Sequence, residues 1–239
     1  MLDAEIRENA FYDDAYYAMQ RDVGAFSAII DRFKFEGEIR PTDRVLDFGC
    51  GGGFILASLP AREKIGIEIN EAAARDARSK GLQIVDRLER VEDGWADVVI
   101  SHHALEHVDH PLDVLLDMRR KLRPGGKIVL VTPNESVAMR YSDDDINFHL
   151  FTWSPSNLGN LLKRAGFRDI SAEPVYHRWP PYWYVLNRVL PIGIMHGLCV
   201  ARGWLRSHYC QVKAVAYKPV TDTPPIGASA PVSVPANRR

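Results

Sequence analysis

At 239 residues the chain is long enough for one domain with a sub-domain or cap, and its apolar (46%), charged (26%) and aromatic (10%) shares are those of an ordinary globular protein. A net charge of −1 gives no overall basic field for DNA or an anionic surface, and three cysteines without CxxC spacing (Cys50, Cys199, Cys210) argue against a disulfide framework or a cysteine zinc site. The acid-bearing start, MLDAEIRENAFYDDAYY, lacks the apolar run of a signal peptide, so a cytoplasmic location is expected.

Residues 1–40 read as a polar-aromatic helical lid, with Phe11, Tyr12, Tyr16, Tyr17 and Phe26 spaced irregularly. Pro41 ends it, and 44–48 reads as a short buried strand followed by glycines and a helix over 54–59. A second strand is predicted over 64–69, where Ile65, Ile67 and Ile69 alternate. Asn70 suits the cap of a helix over 71–80, and Gly81 its end. A third strand follows over 82–85. The apolar run "DVVIS" places a doubly buried fourth over 96–101. Pro111 starts a helix to Leu122 that "RPGG" stops, and 127–132 is a fifth strand. A helix from Ser154–Pro155 to Gly166 and strands over 168–173 and 211–217 complete the series. Strands alternating with helices predict an α/β, doubly wound, mostly parallel, Rossmann-like sheet. The expected divisions are a lid (1–40), a core (41–174), an apolar cap or insertion (175–209), a last strand (210–218) and a disordered tail (219–239).

The stretch "VLDFGCGGGF" (45–54) puts four glycines in five positions at the first strand-to-helix turn. Ligands of such sheets bind beyond the carboxyl ends of the strands. The dinucleotide pattern G-x-G-x-x-G fails at Phe54, and no Gly-Lys-Ser/Thr follows for a phosphate loop. What remains is D-x-G-x-G-x-G, from Asp47 through Gly49, Gly51 and Gly53.

With "VLDFGCGGG", "IGIEIN" and "ADVVISHHALEHVDHPLDVLLDMRRKLRPGGKIVLVTPN" in that order, residues 44–174 resemble the class I S-adenosylmethionine-dependent methyltransferases. The resemblance implies a seven-stranded sheet with its last strand antiparallel, and S-adenosylmethionine as cofactor, leaving as S-adenosylhomocysteine. It implies that Gly49, Cys50, Gly51 and Gly53 let the backbone approach the cofactor. Asp47 would serve its amino group, and Glu68 would accept from both ribose hydroxyls, with Ile69 beside it. The adenine end is expected near Asp86, Arg87 and Leu88, and His102 at the cofactor's edge.

"SHHALEHVDH" supplies His102, His103, His107 and His110 just past the fourth strand. His103 or His107 is the candidate catalytic base. If this piece is helical, His103, Glu106 and His107 share a face. Related RNA- and quinone-modifying enzymes carry E-x-x-E-H here and bind a divalent metal. On that likeness His103, Glu106, His107 and the later His149 form an alternative metal set, better suited to a transition metal than to magnesium. The same Glu and His equally serve helix packing in members of the family that bind no metal. No [DN]-P-P-[YF] follows the fourth strand, which argues against methylation of nucleic-acid bases.

Residues 175–209 contain an uncharged run, 189–201, too short to span a bilayer. Three readings compete for it. Trp179, Trp183, Leu186, Leu190 and Ile194 could bury over the cleft as an acceptor cap. The segment could instead form a dimer surface, or residues 182–206, with Arg188, Arg202 and Arg206, could touch a membrane periphery. The function expected is methyl transfer to an oxygen of a small-molecule, sugar or lipid-like acceptor. The rivals are a metal-assisted RNA 2′-O-methyltransferase and a catalytically dead, S-adenosylmethionine-binding regulator or scaffold.

Overall fold

Two strands buried along nearly their whole length, β1 (Arg44–Phe48) and β4 (Ala96–His102), form the centre of the sheet and pair in parallel. Their apolar runs have no polar face because helices cover both sides. The computed structural model describes residues 14–221 except 137, 138, 144, 146, 208 and 209. Phe11, Tyr12 and the expected tail beyond residue 221 lie outside the described residues.

β2 (Glu63–Ile67) adds to β1, and β3 (Gln83–Val85) to β2, all parallel. On the other side β5 (Leu122–Asn134) runs parallel to β4. β7 (Cys210–Tyr217) is antiparallel to both β5 and β6 (Arg168–Val175), between which it lies. The seven-stranded sheet therefore has the order β3-β2-β1-β4-β5-β7-β6. Chain order reverses between β1 and β4, the switch point at which doubly wound sheets open a crevice.

The helices are α1 (Asp14–Ile30), α2 (Phe33–Glu36), α3 (Phe54–Ser58), α4 (Glu71–Ser79), α5 (Pro111–Lys121), α6 (Pro155–Arg164), α7 (Trp183–Val189) and α8 (Ile192–Leu205). Asn70 caps α4 by accepting from the Ala73 amide, and a reciprocal pair between Ser154 and Asn157 caps α6. One apolar layer joins Leu115, Met118, Leu158 and Leu162 to one face of the sheet. A second joins Phe35, Leu56 and Ala77 to the other. A third, smaller cluster of Phe26, Ile30, Met195 and Cys199 binds α8 to α1, with Trp179, Trp183 and Leu186 against it.

Three local expectations change. "RPGG" ends α5 but lies inside β5 as a bulge: Leu122 pairs with Ala96, and the register resumes only at Lys127 with Val98. β2 stops at Ile67, so Glu68 stands just past the strand. Residues 103–107 are not an α-helix. His103 has left-handed backbone (φ 54°), and only Leu105–His107 makes a 3₁₀ turn.

Candidate active site

The glycine turn is built by backbone conformation. Gly49, Gly51 and Gly53 all have positive φ (73°, 53° and 70°), a region in which a side chain is strained. The amides of Gly49 and Cys50 both donate to the Ile67 carbonyl at 3.0 Å, tying the turn to the end of β2. A Cβ on Gly51 would meet nothing within 4 Å and would project into open space. That space is a cavity of about 1730 Å³ at the carboxyl ends of β1, β2 and β4. It exceeds the ~300–1,000 Å³ usual for one ligand, leaving room for two molecules side by side.

Two carboxyl groups stand at its wall. Asp47 is buried, and its pKa is pushed up to about 8 by desolvation and then by the charge of Glu68. The Glu68 oxygens accept from the Asn70 and Gly51 amides, both at 2.8 Å. Burial raises the Glu68 pKa against those bonds. Gly49, Cys50, Gly51, Ile69 and His102 also line the cavity. Gly53 lies in the turn but packs against Leu82 and Ala77. Asp86 is tied up with Arg87 and Arg90, and Leu88 is in the core; neither lines the cavity.

The histidines separate into two groups. His103 Nδ1 stands 3.2 Å from Glu106 Oε1, and Glu106 is fully buried. Ligand atoms of Glu106, His107 and His149 lie within 4.8 Å of one another, and His149 Nδ1 is 2.7 Å from Glu135 Oε1. The structure thus groups three of the four expected metal residues, with His103 outside the cluster. Burial lowers the pKa of His107. It holds His102 well below the usual imidazole range, helped by the charges of His103 and Lys34.

A methyltransferase-domain family model matches residues 17–172, well over half of the chain. The chain belongs to the class I S-adenosylmethionine-dependent methyltransferases. It is 34% identical over 105 residues to a ubiquinone biosynthesis O-methyltransferase of Nitrosococcus oceani, covering 39% of this chain and 44% of that protein. It is 32% identical over 124 residues to a 37.1 kDa protein in transposon Tn4556 of Streptomyces fradiae, covering 46% and 36%. The chain thus matches about half, or less, of each of these relatives' length. A methyltransferase of Archaeoglobus fulgidus superposes with a TM-score of 0.57 at 22% identity, over 86% of this chain and all of that one. Phosphoethanolamine N-methyltransferase 2 of Haemonchus contortus, solved with S-adenosylmethionine, does so at 0.55 and 16%, over 79% and 51%. These superpositions show the fold.

The glycine turn fits this family's cofactor on two grounds. The open space beyond Gly51 admits a ligand against bare backbone. The neighbouring acids, Asp47 buried and Glu68 half-buried, offer acceptor oxygens suited to an ammonium and a diol.

Among the cavity-lining residues to which sequence reasoning gave no site role are Tyr17, Asp31 and His177. The Tyr17 hydroxyl donates to Asp76 of α4, pinning α1 beside the glycine turn. Asp31 accepts from Ser27 Oγ at 2.9 Å and pairs with the buried Lys34 at 2.8 Å. Burial opposes the Asp31 charge, but Lys34 and then His177 outweigh it and hold the carboxyl well below its usual range. Lys34 Nζ lies 3.3 Å from His102 Nε2, within hydrogen-bond reach, and burial lowers the Lys34 pKa against the pull of Asp31. His177 Nδ1 lies 3.4 Å from Asp31 Oδ1, and neither ring nitrogen makes a hydrogen bond. No motif marks these residues, which come from chain segments some 150 positions apart.

Proposed function

We propose that the protein transfers a methyl group from S-adenosylmethionine to an oxygen of an apolar small-molecule or lipid-like acceptor. The observation that carries this is the His103–Glu106 pair beside the cavity (3.2 Å). No hydrogen bond joins the two groups, so the buried carboxyl acts on the ring by proximity alone, and His103, as a cavity-lining imidazole, is placed to take the acceptor's hydroxyl proton. The left-handed backbone of His103 is strain of the kind that collects at functional sites. Bound S-adenosylmethionine supplies an electrophilic methyl on its sulfonium and leaves as S-adenosylhomocysteine.

The chain's own residues do the rest. The glycine turn, Asp47 and Glu68 hold the donor. Holding the acceptor in line with it supplies up to ~7–11 kcal/mol of the barrier. α1 and the 175–209 segment act as lid and cap, since Tyr17, Ser27, Trp179, Trp183 and Arg202 line the same cavity. Two half-buried tryptophans in the cavity wall, Trp179 and Trp183, suit an apolar acceptor, and relatives named as ubiquinone biosynthesis O-methyltransferases support transfer to oxygen.

A second reading rests on the Glu106, His107 and His149 cluster. A transition metal held there would acidify an acceptor hydroxyl, with Glu135 orienting His149. The two readings compete for Glu106.

An acceptor screen with S-adenosylhomocysteine readout, run with and without EDTA, tests both. Turnover that survives EDTA in metal-free protein supports the base. Turnover abolished by EDTA and restored by metal supports the cluster. Tight S-adenosylmethionine binding with no turnover on any acceptor leaves the regulator reading.

A further inference from the structure

α8 is apolar on two opposite faces. Met195, Cys199 and Gly203 are buried against the body of the protein. On another side, Ile194, Gly197, Leu198, Ala201, Trp204 and Leu205 form one exposed stripe, spaced by three, four and seven residues. Ile194, Trp204 and Leu205 are 54%, 64% and 83% exposed. A helix apolar all round belongs in a core or against lipid, yet half of this one faces outward. Tyr182, Val185 and Val189, at and within α7, are exposed as well.

The charge of the segment says what covers this surface. Residues 175–209 hold four arginines and no Asp or Glu, although the chain carries 31 acids and a net charge of −1. Arg188 and Arg206, at the ends of α7 and α8, are exposed. Apolar residues with tyrosine and tryptophan, edged by cations alone, match the headgroup boundary of an anionic bilayer. A two-fold contact through the same surface would set arginine against arginine with no acid in the segment to pair them. No helix among the described residues is long and apolar enough to cross a membrane, so the contact lies in the plane of the surface.

We propose that the outer face of α7 and α8 docks on an anionic phospholipid surface. The proposal does not depend on which acceptor is methylated. It does place the cavity beside the bilayer, because Trp179, Trp183 and Arg202 of the same segment line it.

The test is sedimentation of the full chain with phosphatidylcholine vesicles, with and without phosphatidylglycerol. Binding should require the anionic lipid and fall as salt rises from ~0.1 M to ~1 M, which shortens the screening length from ~10 to ~3 Å. Ile194→Ser, Leu198→Ser and Leu205→Ser combined should lower the bound fraction at least tenfold. Arg188→Gln with Arg206→Gln should lower partitioning about fivefold per arginine. None of these residues lines the cavity, so S-adenosylmethionine affinity by calorimetry should stay at the wild-type value and serves as the folding control. Should the serine variant fail that control, the arginine variant decides. No binding above neutral vesicles overturns the proposal. So does a concentration-dependent dimer, seen by sedimentation velocity, that the same substitutions abolish.

Discussion

In the proposed site Asp47 would couple cofactor binding to protons. With its pKa near 8, the carboxyl of the free protein is mostly protonated at neutral pH. An ammonium placed against it favours the carboxylate, so binding expels a proton. S-adenosylmethionine affinity should therefore rise between pH 6 and 8, with proton release visible when calorimetry is repeated in buffers of different ionisation enthalpy. Asp47→Asn should remove both effects. Stability runs the other way. Between the unfolded carboxyl's pKa of ~3.9 and the folded value of about 8, the unfolded chain holds fewer protons. The free protein should thus lose stability as pH rises through that window, and Asp47→Asn should flatten its melting-temperature profile. Gly51→Val should abolish binding, because the new side chain would occupy the ligand's space. Glu68→Ala should weaken it by about 2–3 kcal/mol.

His103 and His107 divide the catalytic question. If His103 is the base, His103→Ala should cut kcat by ~10²–10⁴ with cofactor affinity unchanged, while His107→Ala costs less. A larger loss in His107→Ala and His149→Ala than in His103→Ala, read from steady-state kinetics, would instead support the metal cluster.

At the scale of elements, the alternating pattern of strand and helix was legible because apolar runs such as "DVVIS" and caps such as Asn70 carry their structure locally. The conditional helix face over residues 103–107 is not met: the H-x-x-E-H spacing suits one, but His103's left-handed backbone breaks the helix before it starts. "RPGG" reads as a stop, and a bulge of four residues inside a strand carries no separate local signal. In the cap, apolar character alone could not say which side faces in. Trp179 and Trp183 reach the cavity, but Ile194 faces outward. Trp183→Ala should accordingly raise the acceptor KM with little change in cofactor affinity. Ring stacking of Trp183 on Phe26 (4.6 Å) adds a stability cost that thermal melting would report. A side chain on Gly203 would strike the Tyr176 carbonyl, so Gly203→Val should detach α8 and raise its protease sensitivity. Wild-type resistance in that variant would count against this docking.

Across the whole molecule, the half of the cavity proposed for the donor is local in sequence and the half proposed for the acceptor is not. Residues 47–69 were identifiable from one turn and the acid that follows it. The opposite wall joins Tyr17 and Asp31 to His177 and Arg202, residues that only tertiary packing brings together. The net charge of −1 likewise hid a segment of four arginines without an acid, because a sum over the chain erases its distribution.

The position of β7 bears on how the protein is made. Among the described residues β6 bonds to no strand except β7, and β7 is the last of the strands, inserted between two made earlier. During synthesis β6 must wait as an open edge until residue 217 has left the ribosome, exposing a template on which neighbouring chains can pair. A chain ended at residue 209 would keep the glycine turn and both catalytic candidates, yet it should aggregate during refolding. Adding back a peptide spanning 210–218 should suppress the light scattering.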